Sequence, residues 1–204
     1  NNVSFEMNYF FKELTKELNL RNTMIQLKLE LSELIKASEN GDEEAYLEII
    51  SRFKLLDHLF EKGVDFLIQE INEDSIHVSL NLNISRSVIN YEYKITSGGL
   101  DFEEKTMQNE HYNLLVQDFL SSAVLYCSNA LLKVFYWLKS ASVTCYDERL
   151  NTATGHNDPT LIAAFEVSRS FIDSINLNKV APSDALKTQK HQMNFTKTSG
   201  FKPI

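Results

Sequence analysis

The chain has 204 residues, 43% of them hydrophobic, with only six glycines and three prolines. This composition is typical of a globular chain that buries a core, and it excludes collagen-like, low-complexity and disordered classes. The net charge is −8, and the acidic excess lies in residues 1–110, which excludes a nucleic-acid surface along the whole chain.

A few residues bear on the cellular compartment, on the N-terminus and on membrane insertion. Two cysteines, Cys127 and Cys145, are too few for a disulfide scaffold, so we expect a reducing, cytoplasmic location. Because the sequence begins at Asn1 and not at a methionine, we expect a truncated N-terminus. The apolar stretch 119–138 is long enough to span a membrane, but Lys133 would be unfavourable in lipid. We predict a core helix there and no membrane partner.

Residues 1–63 are predicted to form a helical hairpin region, with Asn40-Gly41 ending one helix and Asp42 capping the next. One helix carries apolar residues at alternating gaps of four and three, the spacing of a heptad seam. About two heptads are too short for an autonomous coiled coil, so the stripe predicts a surface for a protein partner or a second copy. Its residues are Leu20, Met24, Leu27, Leu31 and Leu34.

Residues 64–204 are predicted to form the α+β core of what is one structural domain overall. Polar and apolar residues alternate in 64–71, 76–84 and 89–95, and short turns separate these segments. This pattern predicts three strands in a small antiparallel meander.

The remainder of the core is predicted to be a helix followed by a strand-loop-strand unit. Residues 109–139 are apolar around most of a helical circumference, which predicts one long buried central helix. Strands are expected at 143–146 and 161–167, and residues 193–204 are expected to be a strand or an extended tail.

The polar segment from Tyr146 to Pro159 is the first candidate site, which we interpret as a loop between two strands. Asp147, His156 and Asp158 offer two carboxylates and an imidazole, which suit a divalent metal or a general base with an orienting acid. Cys145 is a further candidate, as a nucleophile beside His156. The competing interpretation is structural, because Asn157-Asp158-Pro159 is a turn sequence.

The C-terminal segment is the second candidate site. From Lys179 onward, five lysines stand against one acid. Lysines interleaved with Phe195 and Phe201 predict a weak nucleic-acid surface, and a solvated face is the alternative. The lysines proposed for it are Lys187, Lys190, Lys197 and Lys202.

Phosphate-loop, dinucleotide-binding, zinc-protease and serine-hydrolase signatures are absent from the sequence. The leading hypothesis is therefore a non-enzymatic interaction or regulatory module that binds a protein partner or itself through its N-terminal helices. The alternative is a metal-assisted hydrolase or phosphodiester-cleaving enzyme that uses the 146–159 loop with a divalent metal as cofactor. Nucleic-acid association through the C-terminal lysines is a third hypothesis.

Overall fold

The computed structural model describes residue 26 and residues 29–95 and 101–204. It combines helices and strands in an α+β fold, which confirms the predicted fold class. The chain divides into two compact units, Asn1–Phe53 and Lys54–Ile204, whereas the sequence predicts a boundary after residue 63.

In the first unit, helix α1, described over residues 29–39, and helix α2 (Glu43–Arg52) form a hairpin. Asp42 caps α2 as predicted, because its side chain accepts hydrogen bonds from two amides in the first turn. The Nη2 atom of Arg52 lies 2.9 Å from Oε2 of Glu30. Since this pair joins the end of α2 to the beginning of the described part of α1, the two helices run antiparallel.

The second helix of the hairpin ends before residue 63, the predicted end of the hairpin region. Helix α2 ends at Arg52, and Lys54 follows with a φ of 51°, a value that a continuing α-helix cannot accommodate. A separate helix, α3 (Asp57–Glu61), then packs against strand β1 (Asp65–Ile71). Because α3 contacts that strand, it belongs to the second unit, which accounts for the earlier boundary.

The described part of the second unit contains eight strands and, after α3, four helices. Beyond β1, the strands are β2 (Ser75–Asn81), β3 (Tyr91–Ile95), β4 (Phe102–Thr106), β5 (Ser140–Leu150), β6 (Asn157–Ser168), β7 (Lys190–Thr196) and β8 (Gly200–Lys202). The helices are α4 (Ile84–Ser87), α5 (Asn109–Val134), α6 (Arg169–Ser174) and α7 (Pro182–Leu186).

Six of the strands form one mixed sheet in the spatial order β1-β2-β5-β6-β7-β8. All neighbours in it are antiparallel except β2 and β5, which are parallel. Alternate residues of these two strands are buried on one face, and they lie side by side in register. These are Ile76, Val78, Leu80, Ala141, Val143 and Cys145.

Helix α5 is the core helix that the sequence predicts. It packs against β5, β8 and α7. Among the described residues it is the one helix long and apolar enough to cross a membrane, but 56% of its apolar window is buried inside the protein. It ends at Val134, where the guanidinium of Arg169 donates 2.7 Å hydrogen bonds to the carbonyls of Phe135 and Leu138. These bonds satisfy carbonyl groups that follow the last helical turn.

The predicted meander forms only in part. Strands β1 and β2 pair antiparallel as predicted, but β3 pairs with β4 in a separate two-stranded ribbon. The reason is that β5 occupies the free edge of β2 along its whole length, from Ser75 to Asn81. A strand has two edges, so β3 has no place beside β2.

Candidate functional site

Most of the predicted loop from Tyr146 to Pro159 is strand. Strands β5 and β6 extend to Leu150 and from Asn157, and they pair in antiparallel register up to their ends. A short turn remains, in which the amide of Asn151 donates a 2.8 Å hydrogen bond to the carbonyl of His156. The prediction of an irregular loop here is therefore wrong, because polar side chains on an exposed hairpin conceal its alternation.

The three predicted catalytic side chains lie at different places along this hairpin, and two of them make hydrogen bonds. Asp147 accepts a 3.1 Å hydrogen bond from the amide of Ile84, and its other oxygen lies 3.5 Å from Nε of Arg149. Asp158 accepts a 2.8 Å bond from the side chain of Asn151.

His156 is exposed in the turn. In the described ranges, no group of three His, Cys, Asp or Glu side chains is arranged to hold a metal ion. The competing prediction of a turn at Asn157-Asp158-Pro159 is wrong as well, because these residues are the first three of β6 and pair with β5.

Asp147 does line a cleft, with a volume of about 230 Å³. Its side chain is 14% exposed. Tyr112 also lines the cleft, and the pKa of its hydroxyl is raised by burial and then by the negative charge of Asp147. Arg149 donates a 2.8 Å hydrogen bond to the carbonyl of Phe201. Asp147 and Arg149 thus bind other parts of the protein and connect β5 to α4 and β8.

Cys145 has no access to this cleft or to solvent, because its side chain is fully buried. Burial raises the pKa of the Cys145 thiol, and the neighbouring Cys127 raises it further. Since a thiol reacts as its thiolate, the prediction of a nucleophile at Cys145 has no support in this geometry.

A larger groove of about 560 Å³ crosses the polar face of the sheet. His77 and Thr144 line it. Thr144 Oγ1 lies 3.2 Å from His77 Nε2 and 3.0 Å from Ser79 Oγ, and Ser79 accepts a bond from Gln69. The alternation of β2 showed this wet face, but not that strand β5 completes it. These polar side chains hydrogen-bond with one another across β1, β2 and β5, which favours a role in strand alignment.

The C-terminal lysines are spread over three elements. Lys187 pairs with Asp184 at 3.0 Å and Lys190 with Glu166 at 2.7 Å. Lys197 and Lys202 are exposed on or beside the β7–β8 hairpin. The ring of Phe195 packs on the buried ring of Phe201 at a centroid distance of 4.8 Å. These two rings contact each other, which leaves little aromatic surface for stacking a base.

The predicted partner stripe is described only at its end. Leu20, Met24 and Leu27 lie outside the described residues, whereas Leu31 and Leu34 are half-buried in α1. The stripe as a whole stays a prediction.

The β3–β4 ribbon carries an apolar surface that the sequence analysis did not identify. Its register places Tyr91, Tyr93 and Ile95 of β3 on one face with their cross-strand partners Thr106, Glu104 and Phe102, and we call this the ribbon face. Tyr93, Ile95 and Phe102 are 64%, 67% and 74% exposed.

The opposite face of the ribbon carries two acidic and two basic side chains, whose charges cancel. Glu92 lies across from Lys105, and Lys94 lies across from Glu103. The alternation of residues 89–95 predicted a strand with one apolar face. Which strand it would pair with, and whether that face would be covered, are not local properties of the sequence.

Comparisons of the chain with protein-family models, with curated proteins and with solved structures find no match.

Proposed function

We propose that the chain is a protein-interaction module that docks on a partner protein through the ribbon face. The observation that carries the proposal is the exposure of Tyr93, Ile95 and Phe102, each by more than half, on one surface. Clustered apolar exposure of this kind is typical of interaction sites. Removing the apolar surface of these side chains from water would favour association.

The architecture of the ribbon supports the same proposal. Strands β3 and β4 pair with each other and with neither edge of the six-stranded sheet. A two-stranded ribbon has little stability of its own and gains it by packing on another surface. A partner that covers the ribbon face would supply that surface.

The other hypotheses have less support. The proposed metal-dependent hydrolase requires Asp147, His156 and Asp158 to meet, but Asp147 and Asp158 make separate hydrogen bonds. The N-terminal stripe remains a second proposed surface, and Leu31 and Leu34 are its described members. We place the module in the cytoplasm, because its two thiols are free and a reducing compartment maintains them.

A photo-crosslinking residue at position 102 tests the proposal in cells. Phe60, on α3, is the matched control, because it is also a phenylalanine and is 68% exposed. We expect one discrete protein adduct from position 102 that position 60 does not give. With the purified partner, Phe102→Ser should raise Kd at least about tenfold, corresponding to about 1.4 kcal/mol, while Phe60→Ser leaves it unchanged.

An adduct with a second copy of the chain would identify the partner as the chain itself. The proposal fails if positions 102 and 60 give the same adducts. It also fails if Phe102→Ser, with an unchanged circular dichroism spectrum, binds the identified partner as tightly as the wild-type chain does.

A further inference from the structure

We infer that the partner inserts a basic side chain, arginine or lysine, at one end of the ribbon face, against Tyr91, Tyr93 and Glu104. This inference rests on the proposed docking of the ribbon face and specifies the chemistry of the partner. Its basis is the difference between the two ends of the face: one end is aromatic and acidic, and the other is purely apolar.

The aromatic end has a defined geometry. The rings of Tyr91 and Tyr93 lie edge to face, with centroids 5.6 Å apart and an interplanar angle of 80°. Glu104 is directly across from Tyr93 in the antiparallel register, so the carboxylate and the two rings share one face. The proximity of Tyr91 and then of the Glu104 carboxylate raises the pKa of the Tyr93 hydroxyl.

The charge at this end is negative and unbalanced. Glu104 has no ion-pair partner within the described ranges of the chain. The two lysines of the ribbon, Lys94 and Lys105, belong to the opposite face, and Lys94 Nζ lies 3.0 Å from Oε1 of Glu92. Glu104 is therefore the single charged residue of the ribbon face.

A cation is the ligand that such a group favours. The faces of tyrosine rings carry partial negative charge and attract guanidinium or ammonium groups, and the carboxylate adds a direct ionic contact. An anionic or neutral polar side chain would leave Glu104 unpaired beneath the partner, which is unfavourable in a desolvated interface.

The other end of the ribbon face sets the spacing of the partner. Ile95 and Phe102 are directly opposite each other and offer a surface for a large apolar side chain. Tyr93 and Ile95 are two residues apart on one strand, about 7 Å. A partner segment in extended conformation would therefore place its basic and apolar side chains two residues apart.

Three synthetic ten-residue peptides test the inference. The first repeats the unit Arg-Ser-Val-Ser, so that arginine and valine lie two residues apart on one face of an extended peptide. The second replaces arginine by citrulline, which has a similar shape without the charge, and the third replaces it by glutamate. Titrations of the full chain, followed by fluorescence anisotropy, should show the arginine peptide binding about fivefold or more tightly than the citrulline peptide. The glutamate peptide should bind most weakly.

Two isosteric variants form the matched pair. Glu104→Gln should sharply reduce the preference for arginine over citrulline, whereas Glu103→Gln, on the opposite face of the same strand, should retain it. Tyr93→Leu, which keeps an apolar side chain but removes the aromatic ring, should reduce the preference.

Equal affinity of the arginine and citrulline peptides for the wild-type chain overturns the inference, and so does equal behaviour of Glu103→Gln and Glu104→Gln. No binding of any peptide overturns it as well. If the arginine and citrulline peptides bind equally and Phe102→Ser abolishes the binding of both, the proposed docking surface is retained and only the inferred basic side chain is wrong. If Phe102→Ser changes the affinity of neither peptide, the proposed function itself fails.

Discussion

Of the three predicted catalytic residues, Asp147 makes the most contacts with other elements, and its role in the fold is structural. Its carboxylate holds the first residue of α4 through the amide of Ile84 and lies beside Arg149, which in turn binds the carbonyl of Phe201. A half-buried carboxylate with such partners stabilises the fold, because removing it leaves donors unsatisfied.

Replacing this carboxylate should therefore reduce stability. Asp147→Ala should lower the free energy of unfolding by about 1–3 kcal/mol, and Asp147→Asn by less, because asparagine keeps an acceptor for Ile84. Asp158→Ala, at an exposed position, should change it by at most about 0.5 kcal/mol. Urea unfolding at neutral pH measures all three. Equal losses at positions 147 and 158 would contradict the assignment of a structural role.

At the scale of elements, the end of α5 depends on one distant side chain. Arg169 forms two 2.7 Å bonds to carbonyls after the helix, and the fork of a guanidinium matches two acceptors in a way that a lysine cannot. Arg169→Lys should lower the free energy of unfolding, measured by urea unfolding, by about 1–3 kcal/mol. Arg86→Lys, on the exposed side of α4, is the control and should have little effect. If Arg169→Lys proved as stable as this control, the two bonds would contribute nothing.

Elements were predictable from sequence where their signal is local. The alternation of Ile76, Val78 and Leu80 reports a half-buried strand, and the apolar circumference of α5 reports a core helix. Strand pairing is not local: Ser79 and Thr144 hydrogen-bond across 65 positions of the chain. The prediction of the candidate site failed for a related reason. Asp147 and His156 are close in sequence, but Asp147 bonds to Ile84, which is 63 positions away, whereas His156 is exposed in the turn.

At the scale of the whole molecule, the two buried thiols link stability to pH. Burial raises the pKa of Cys127 to about 12, and that of Cys145 is raised by burial and by Cys127. In the unfolded chain, thiols ionise near pH 8.5. Above that pH the unfolded state releases protons that the folded state retains, so stability falls as pH rises, by about 1.4 kcal/mol per pH unit for each thiol.

The slope of stability against pH isolates this effect. Between about pH 8.5 and 10.5, Cys127→Ala should lose stability less steeply than the wild-type chain, by about 1.4 kcal/mol per pH unit. The comparison of slopes is unaffected by the volume that the mutation removes, which shifts stability at every pH. Urea unfolding across this range provides the slopes, and identical slopes would show that the thiol at position 127 ionises as easily in the folded chain as in the unfolded one.

The parallel pairing of β2 and β5 also affects the order in which the sheet can form during translation. The hairpin of β1 and β2 is complete once Asn81 has emerged, but the strand that covers its inner edge begins at Ser140. The ribbon and the whole of α5 have to be translated in between. During that interval the growing chain carries the edge of β2 that β5 later pairs with, from Ser75 to Asn81. Nascent chains of this protein are therefore expected to expose an aggregation-prone strand edge that β5 covers in the folded protein.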